Sequence, residues 1–136
     1  MWVDRDGTLS LVTKGRTGGI ILFRVPAAAW ETRGTVTATR VQLLPVMPDQ
    51  SSGRWVTDAA LSPDGTIVAI RTYTELYFFP VLPAGRLGGP TTRCNLAGLE
   101  PQGEGVDWLD GSRLVLTSEA PLPTTSGPIH VIRCGA

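Results

Sequence analysis

An Asp-Gly pair recurs three times in this chain, each time between a short strand-like run and a run rich in Leu, Val and Ile. The segments are MWVDRDGTLSLVTK (Met1–Lys14), AALSPDGTIVAIRT (Ala59–Thr72) and GVDWLDGSRLVLTS (Gly105–Ser118). Asp-Gly in that setting signals a hairpin, because glycine accepts the positive φ of a tight turn and aspartate bonds the backbone just beyond it. The chain is therefore predicted to fold as repeated antiparallel hairpins, with Asp6, Asp64 and Asp110 in structural roles.

The turn aspartates are separated by 64 − 6 = 58 and 110 − 64 = 46 residues. The second spacing suits a unit of about 40–50 residues built from four short strands, and the first exceeds it. The excess falls in the Pro- and Ser-rich stretch Pro45–Gly53 (PVMPDQSSG), which reads as an extended loop. A third strand is expected after each hairpin, at Gly19–Val25, Glu75–Val81 and Pro128–Arg133. A fourth is expected at Thr35–Leu44 and at Thr92–Ala97, with none in the third unit, where the sequence stops at Ala136.

Ile67–Ile70 and Leu114–Leu116 are continuously apolar, as in strands covered on both faces, whereas Thr35–Leu44 alternates like a half-exposed outer strand. Ala27–Thr32 is long enough for one helical turn only. With 11 prolines and 16 glycines between short apolar runs, an all-β chain is predicted. It reads as one domain over 1–136, in units at 1–46, 55–98 and 103–136.

Twelve basic and 12 acidic side chains cancel, so no net field draws the chain to nucleic acid. No apolar run approaches the ~18–20 residues that span a bilayer, and no leader pattern is present, so neither membrane insertion nor export is expected of the sequence as given. A cytoplasmic location is the reading, or a secreted or periplasmic one for a longer parent. Cys94 and Cys134 lack a CxxC or Cys/His pattern, which excludes a structural zinc site. They are read as reduced, partly buried thiols in preference to a disulfide.

The stretch SPDGTIVAIRTYTELYFFPV resembles a repeat of WD40-like β-propellers, and QGEGVDWLDGSRLVLTSE (Gln102–Glu119) is similar to repeats of the esterase-like, phytase-like and SdiA-regulated propellers of bacteria. The resemblance implies a partial β-propeller of about three four-stranded antiparallel blades, the first and last incomplete. Completion is expected from the remainder of a larger propeller in preference to a second copy of the chain.

In that arrangement Asp58 and Glu104, each six residues before a turn aspartate, superpose at the mouth of a central channel. They are candidate ligand groups for calcium or an acid/base pair, though solvated loop-end acids are the simpler expectation. Arg71 and Glu119 could meet between blades, though ordinary exposed strand-end charges are the simpler expectation. His130, the only histidine, reads as a packed or surface residue, and no Gly-x-Ser-x-Gly elbow is present. Trp2, Trp55 and Trp108 are expected to pack between blades. No cofactor is required, with calcium the candidate. The function implied is a non-catalytic binding or structural segment with a small-ligand or protein partner. The alternative is part of a calcium-assisted phytase-like or esterase-like hydrolase.

Overall fold

Each Asp-Gly turn closes a hairpin in the computed structural model, which describes residues 1–46, 52–120 and 126–134. The first sheet has the order β1 (Trp2–Val3), β2 (Leu9–Val12), β3 (Ile21–Val25) and β4 (Thr39–Leu43). The second repeats it with β5 (Val56–Leu61), β6 (Ile67–Thr72), β7 (Glu75–Pro80) and β8 (Thr92–Asn95). The third contains β9 (Gly103–Trp108), β10 (Leu114–Ser118) and β11 (Ile129–Ile132). All pairings are antiparallel between chain neighbours, so the fold is all-β, in three meanders that do not close on themselves among the described residues. Ala27–Glu31 forms a helical turn of 3-10 type, and Ser52–Arg54 and Pro83–Gly85 form two shorter ones. Most of the Pro45–Gly53 loop lies outside the described residues. No helix of the described residues is long and apolar enough to cross a membrane.

The turns show why aspartate stands there. Gly65 adopts φ +75°, and Asp64 Oδ1 accepts hydrogen bonds from Ser62 Oγ at 2.6 Å, Thr66 Oγ1 at 2.8 Å and Thr66 N–H at 3.0 Å. Asp110 receives the backbone N–H groups of Ser112 and Arg113, both at 2.8 Å, and the Arg113 side chain at 2.7 Å. These donors favour the ionised carboxylate. Ser62 and then Thr66 hold the Asp64 carboxyl down to about 2. Ser112 and Arg113 depress Asp110, and Thr8 depresses Asp6.

A carboxyl with a lowered folded pKa contributes stability above its unfolded pKa and loses it as pH falls through the folded value. The Asp64 contribution should therefore fade between pH 3.8 and about 2. Asp64→Asn is expected to flatten that part of the acid limb in urea-midpoint measurements across pH. An unchanged acid limb would show that the turn does not couple to stability.

The second sheet is packed on both faces. Val68 and Ile70 of β6 and Tyr77 and Phe79 of β7 join Trp2, Leu22 and Leu44 in one apolar cluster against the first sheet. Ala69 of β6 and Leu76 and Phe78 of β7 join Val106, Leu114 and Leu116 in another against the third. The continuously apolar reading thus holds for β6, but β10 buries only Leu114 and Leu116 and leaves Val115 half-exposed between them. One face of β10 is covered; the other is open.

The sheets follow one another in a constant sense. The strand pair next to the turn is Val3 with Leu9, Leu61 with Val68, and Trp108 with Leu114. In the second and third sheets this pair packs toward the preceding sheet. The adjacent pair is Trp2 with Ser10, Ala60 with Ala69, and Asp107 with Val115. Trp2 packs toward the second sheet, and Ala60 and Ala69 pack toward the third. Each interface therefore joins the forward face of one sheet to the rear face of the next. The innermost strands β1, β5 and β9 lie side by side along the stack.

The cysteines are not free thiols: Cys94 and Cys134 form a disulfide, with their Cα atoms 5.9 Å apart. Cys94 lies opposite Leu76, on the forward face of the second sheet, and both cysteines pack against the cluster shared with the third sheet. Spacing along the chain does not reveal this proximity. Sheet stacking creates it, by bringing β8 beside the residues that follow β11.

Candidate ligand-binding cleft

At the end of the stack where β5 and β9 begin, a cleft of about 430 Å³ opens between the second and third sheets. Trp55, just before β5, and Tyr73, in the β6–β7 turn, supply aromatic surface, and the β8–β9 connection contributes Glu100 and Gln102. Thr74 fixes this rim: its N–H and hydroxyl both reach Gly53 O, at 3.0 and 2.9 Å, and its carbonyl accepts from Leu96 N–H at 2.8 Å.

Cations from the first sheet's β2–β3 loop reach the aromatic groups. The Arg16 guanidinium lies 4.8 Å from the Trp55 ring centroid, and Lys14 Nζ lies 5.2 Å from that of Tyr73. Lys14 also donates to the Tyr73 hydroxyl at 3.2 Å. That hydroxyl donates to Glu104 Oε1 at 3.0 Å, which also accepts Gln102 Nε2 at 3.1 Å. A polar chain thus crosses all three sheets at this end.

Beneath it lies a buried ion pair. Arg71 of β6 and Glu100 have side chains 0% and 2% exposed, and their guanidinium and carboxylate are in contact. Arg71 also donates to Gly105 O at 2.7 Å and to Thr117 O at 3.4 Å, so one β6 side chain binds two strands of the third sheet. Gly103 makes room for it, because a Cβ there would overlap the guanidinium. Glu100 Oε1 and Arg71 Nε are buried without a further partner.

Arg71 is therefore buried, not the exposed strand-end charge expected from the sequence, and its charge partner is Glu100 in place of Glu119. Arg71 shares the forward face of β6 with Ala69, which the third sheet covers, and Glu100 takes its charge. Glu119 is exposed, and its backbone N–H donates to Gln102 O at 2.9 Å.

Asp58 and Glu104 do not occupy equivalent places. The last paired residues of the second hairpin are 68 − 61 = 7 apart in sequence, and those of the third are 114 − 108 = 6 apart. That extra residue slips the inner strand by one: Asp58 pairs with Arg71, whereas Gly105 pairs with the corresponding Thr117. A one-residue slip turns a side chain to the opposite sheet face.

Asp58 Oδ2 consequently accepts Val106 N–H at 3.1 Å, while Oδ1 accepts Ala59 N–H at 2.8 Å and lies 3.5 Å from the Met1 ammonium. With Asp107 it lines a separate groove of about 310 Å³ along the inner strands. Glu104 belongs to the cleft network instead. Among the described residues, no group of three or more His, Cys, Asp or Glu side chains is arranged to hold a metal ion.

Trp2 is buried between the first two sheets. Trp108 meets Phe78 edge to face at 5.9 Å and donates to Ala60 O at 3.3 Å, so both serve sheet packing as expected. Trp55 does not join either cluster and forms cleft wall. His130 pairs with Leu116 across β10 and β11 and is half-buried.

Nothing in the sequence marks Glu100, because a lone acid between Leu99 and Pro101 carries no recognisable pattern. Its role emerges only when β6 packs on the third sheet. Comparison with protein-family models, with curated proteins and with solved structures finds no match to this chain.

Proposed function

We propose that this chain is a non-catalytic binding or structural segment of the β-propeller kind. In this reading its three sheets are successive blades, and the Trp55–Tyr73 cleft is its ligand surface. The observation that carries the reading is the constant forward-to-rear stacking, with the inner strands side by side. The acids near the cleft support a binding role over a chemical one, since each is engaged between sheets or loops. Glu100 pairs with Arg71, Glu104 takes Tyr73 and Gln102, and Asp58 takes Val106. Aromatic surface beside hydrogen-bonding groups suits a small polar ligand with an apolar face.

The competing calcium-assisted hydrolase would need Asp58 and Glu104 to act together, and the one-residue slip separates their roles. Calcium is expected to leave the melting temperature unchanged. A calcium-dependent rise abolished by Asp58→Asn with Glu104→Gln would replace the binding reading with the hydrolase.

A further inference from the structure

The two outermost faces of the stack are of opposite type, and each exposes apolar side chains beside a few polar ones, Arg40 on the rear face and Asp107 and Thr117 on the forward one. The first sheet leaves its rear face open, with Val3, Leu9, Leu11, Ile21, Phe23 and Leu43 on it. Val3 is 54% exposed and Leu43 60%. The third sheet leaves its forward face open, where Val115, Ile129 and Val131 accompany Asp107 and Thr117. Ile129 is 72% exposed and Val131 55%. By strand register, Val131 and Ile129 occupy the places that Phe78 and Leu76 occupy in the second sheet, where both are buried against the third.

We propose that the occupant of each open face is a second copy of this chain. The forward face of one copy's third sheet would dock on the rear face of the other's first sheet, at both junctions, to give a closed two-copy ring. Within one chain the same forward-to-rear joint is already made twice, so each copy carries both halves of a contact the fold is built to form. Such a contact joins unlike patches, and two of them close under twofold symmetry if the rotation per sheet allows it. Balanced charge, with 12 basic and 12 acidic side chains, raises no net repulsion between copies. The proposal rests on the stacking sense that also supports the propeller reading, and it adds the partner.

The test is the solution mass of the full chain by light scattering and sedimentation, over a concentration series. Two variants accompany the wild type, Val3→Asp with Leu43→Asp on the rear face and Ile129→Asp with Val131→Asp on the forward face. All four side chains are more than half exposed, so both variants are expected to retain the wild-type circular dichroism and melting profile of an isolated chain. The wild type should have the mass of two copies, and either variant alone should shift it to one. A wild-type monomer overturns the proposal and leaves the faces to a different partner. A species that keeps growing beyond two copies also overturns it, because the ring would not close. A dimer that survives one of the two variants overturns the head-to-tail contact, while leaving the intrachain stacking behind the propeller reading intact.

Discussion

Arg71→Met is expected to destabilise the protein by about 3–5 kcal/mol, the cost of leaving a buried carboxylate without its partner. Glu100 is 2% exposed, and its other carboxylate oxygen has no alternative partner to take up the charge. The same substitution also strips Gly105 O and Thr117 O of a donor, so the loss should fall on the joint between the second and third sheets. Adding Glu100→Leu to Arg71→Met should restore much of the loss, since an apolar pair avoids the desolvation cost that the ion pair carries. Gly103→Ala should be costly in the wild type, where its methyl would meet the guanidinium, and much less so once Arg71 is methionine. Urea unfolding of the wild type and the four variants measures all of this. Additive losses for Arg71→Met and Gly103→Ala would mean that the glycine serves another purpose.

Reducing the Cys94–Cys134 bond is expected to cost about 2–4 kcal/mol, the range for a cross-link closing a loop of this order. The bond spans 40 residues and ties β8 to the end of the third sheet, so its loss frees both in the unfolded chain. Cys94→Ala with Cys134→Ala should lower the urea midpoint by a corresponding amount at neutral pH. It should also make that midpoint insensitive to reductant. Equal midpoints for wild type and variant under oxidising conditions would show that packing alone holds the two outer strands together.

The hairpins were legible in the sequence because their signals are local. Asp64 and Gly65 specify a turn through their own backbone preferences, and Ile67–Ile70 announces a strand through its neighbours. Strand boundaries moved by a few residues: Thr35–Leu44 became Thr39–Leu43, and Gly19–Val25 became Ile21–Val25. What could not be read depends on register and on stacking. The equivalence of Asp58 and Glu104 failed on a single extra residue in one hairpin, which is invisible when segments are aligned on their turns. Arg71 looked like a surface charge because its own strand does not reveal that another sheet will cover it. Cys94 and Cys134 lie 40 residues apart in sequence, and their meeting follows from sheet order alone.

The second sheet has apolar contacts on both faces, while its neighbours each lean on it with one. It acts as the keystone of the chain. The modularity suggested by three similar segments is therefore partial, since neither outer sheet buries its apolar side without the middle one. Damage to β6 or β7 removes the seat of both neighbours at once, whereas damage to β4 or β11 touches one joint. Tolerance to substitution should accordingly grade outward from the centre of the stack, and not from one end of the sequence to the other.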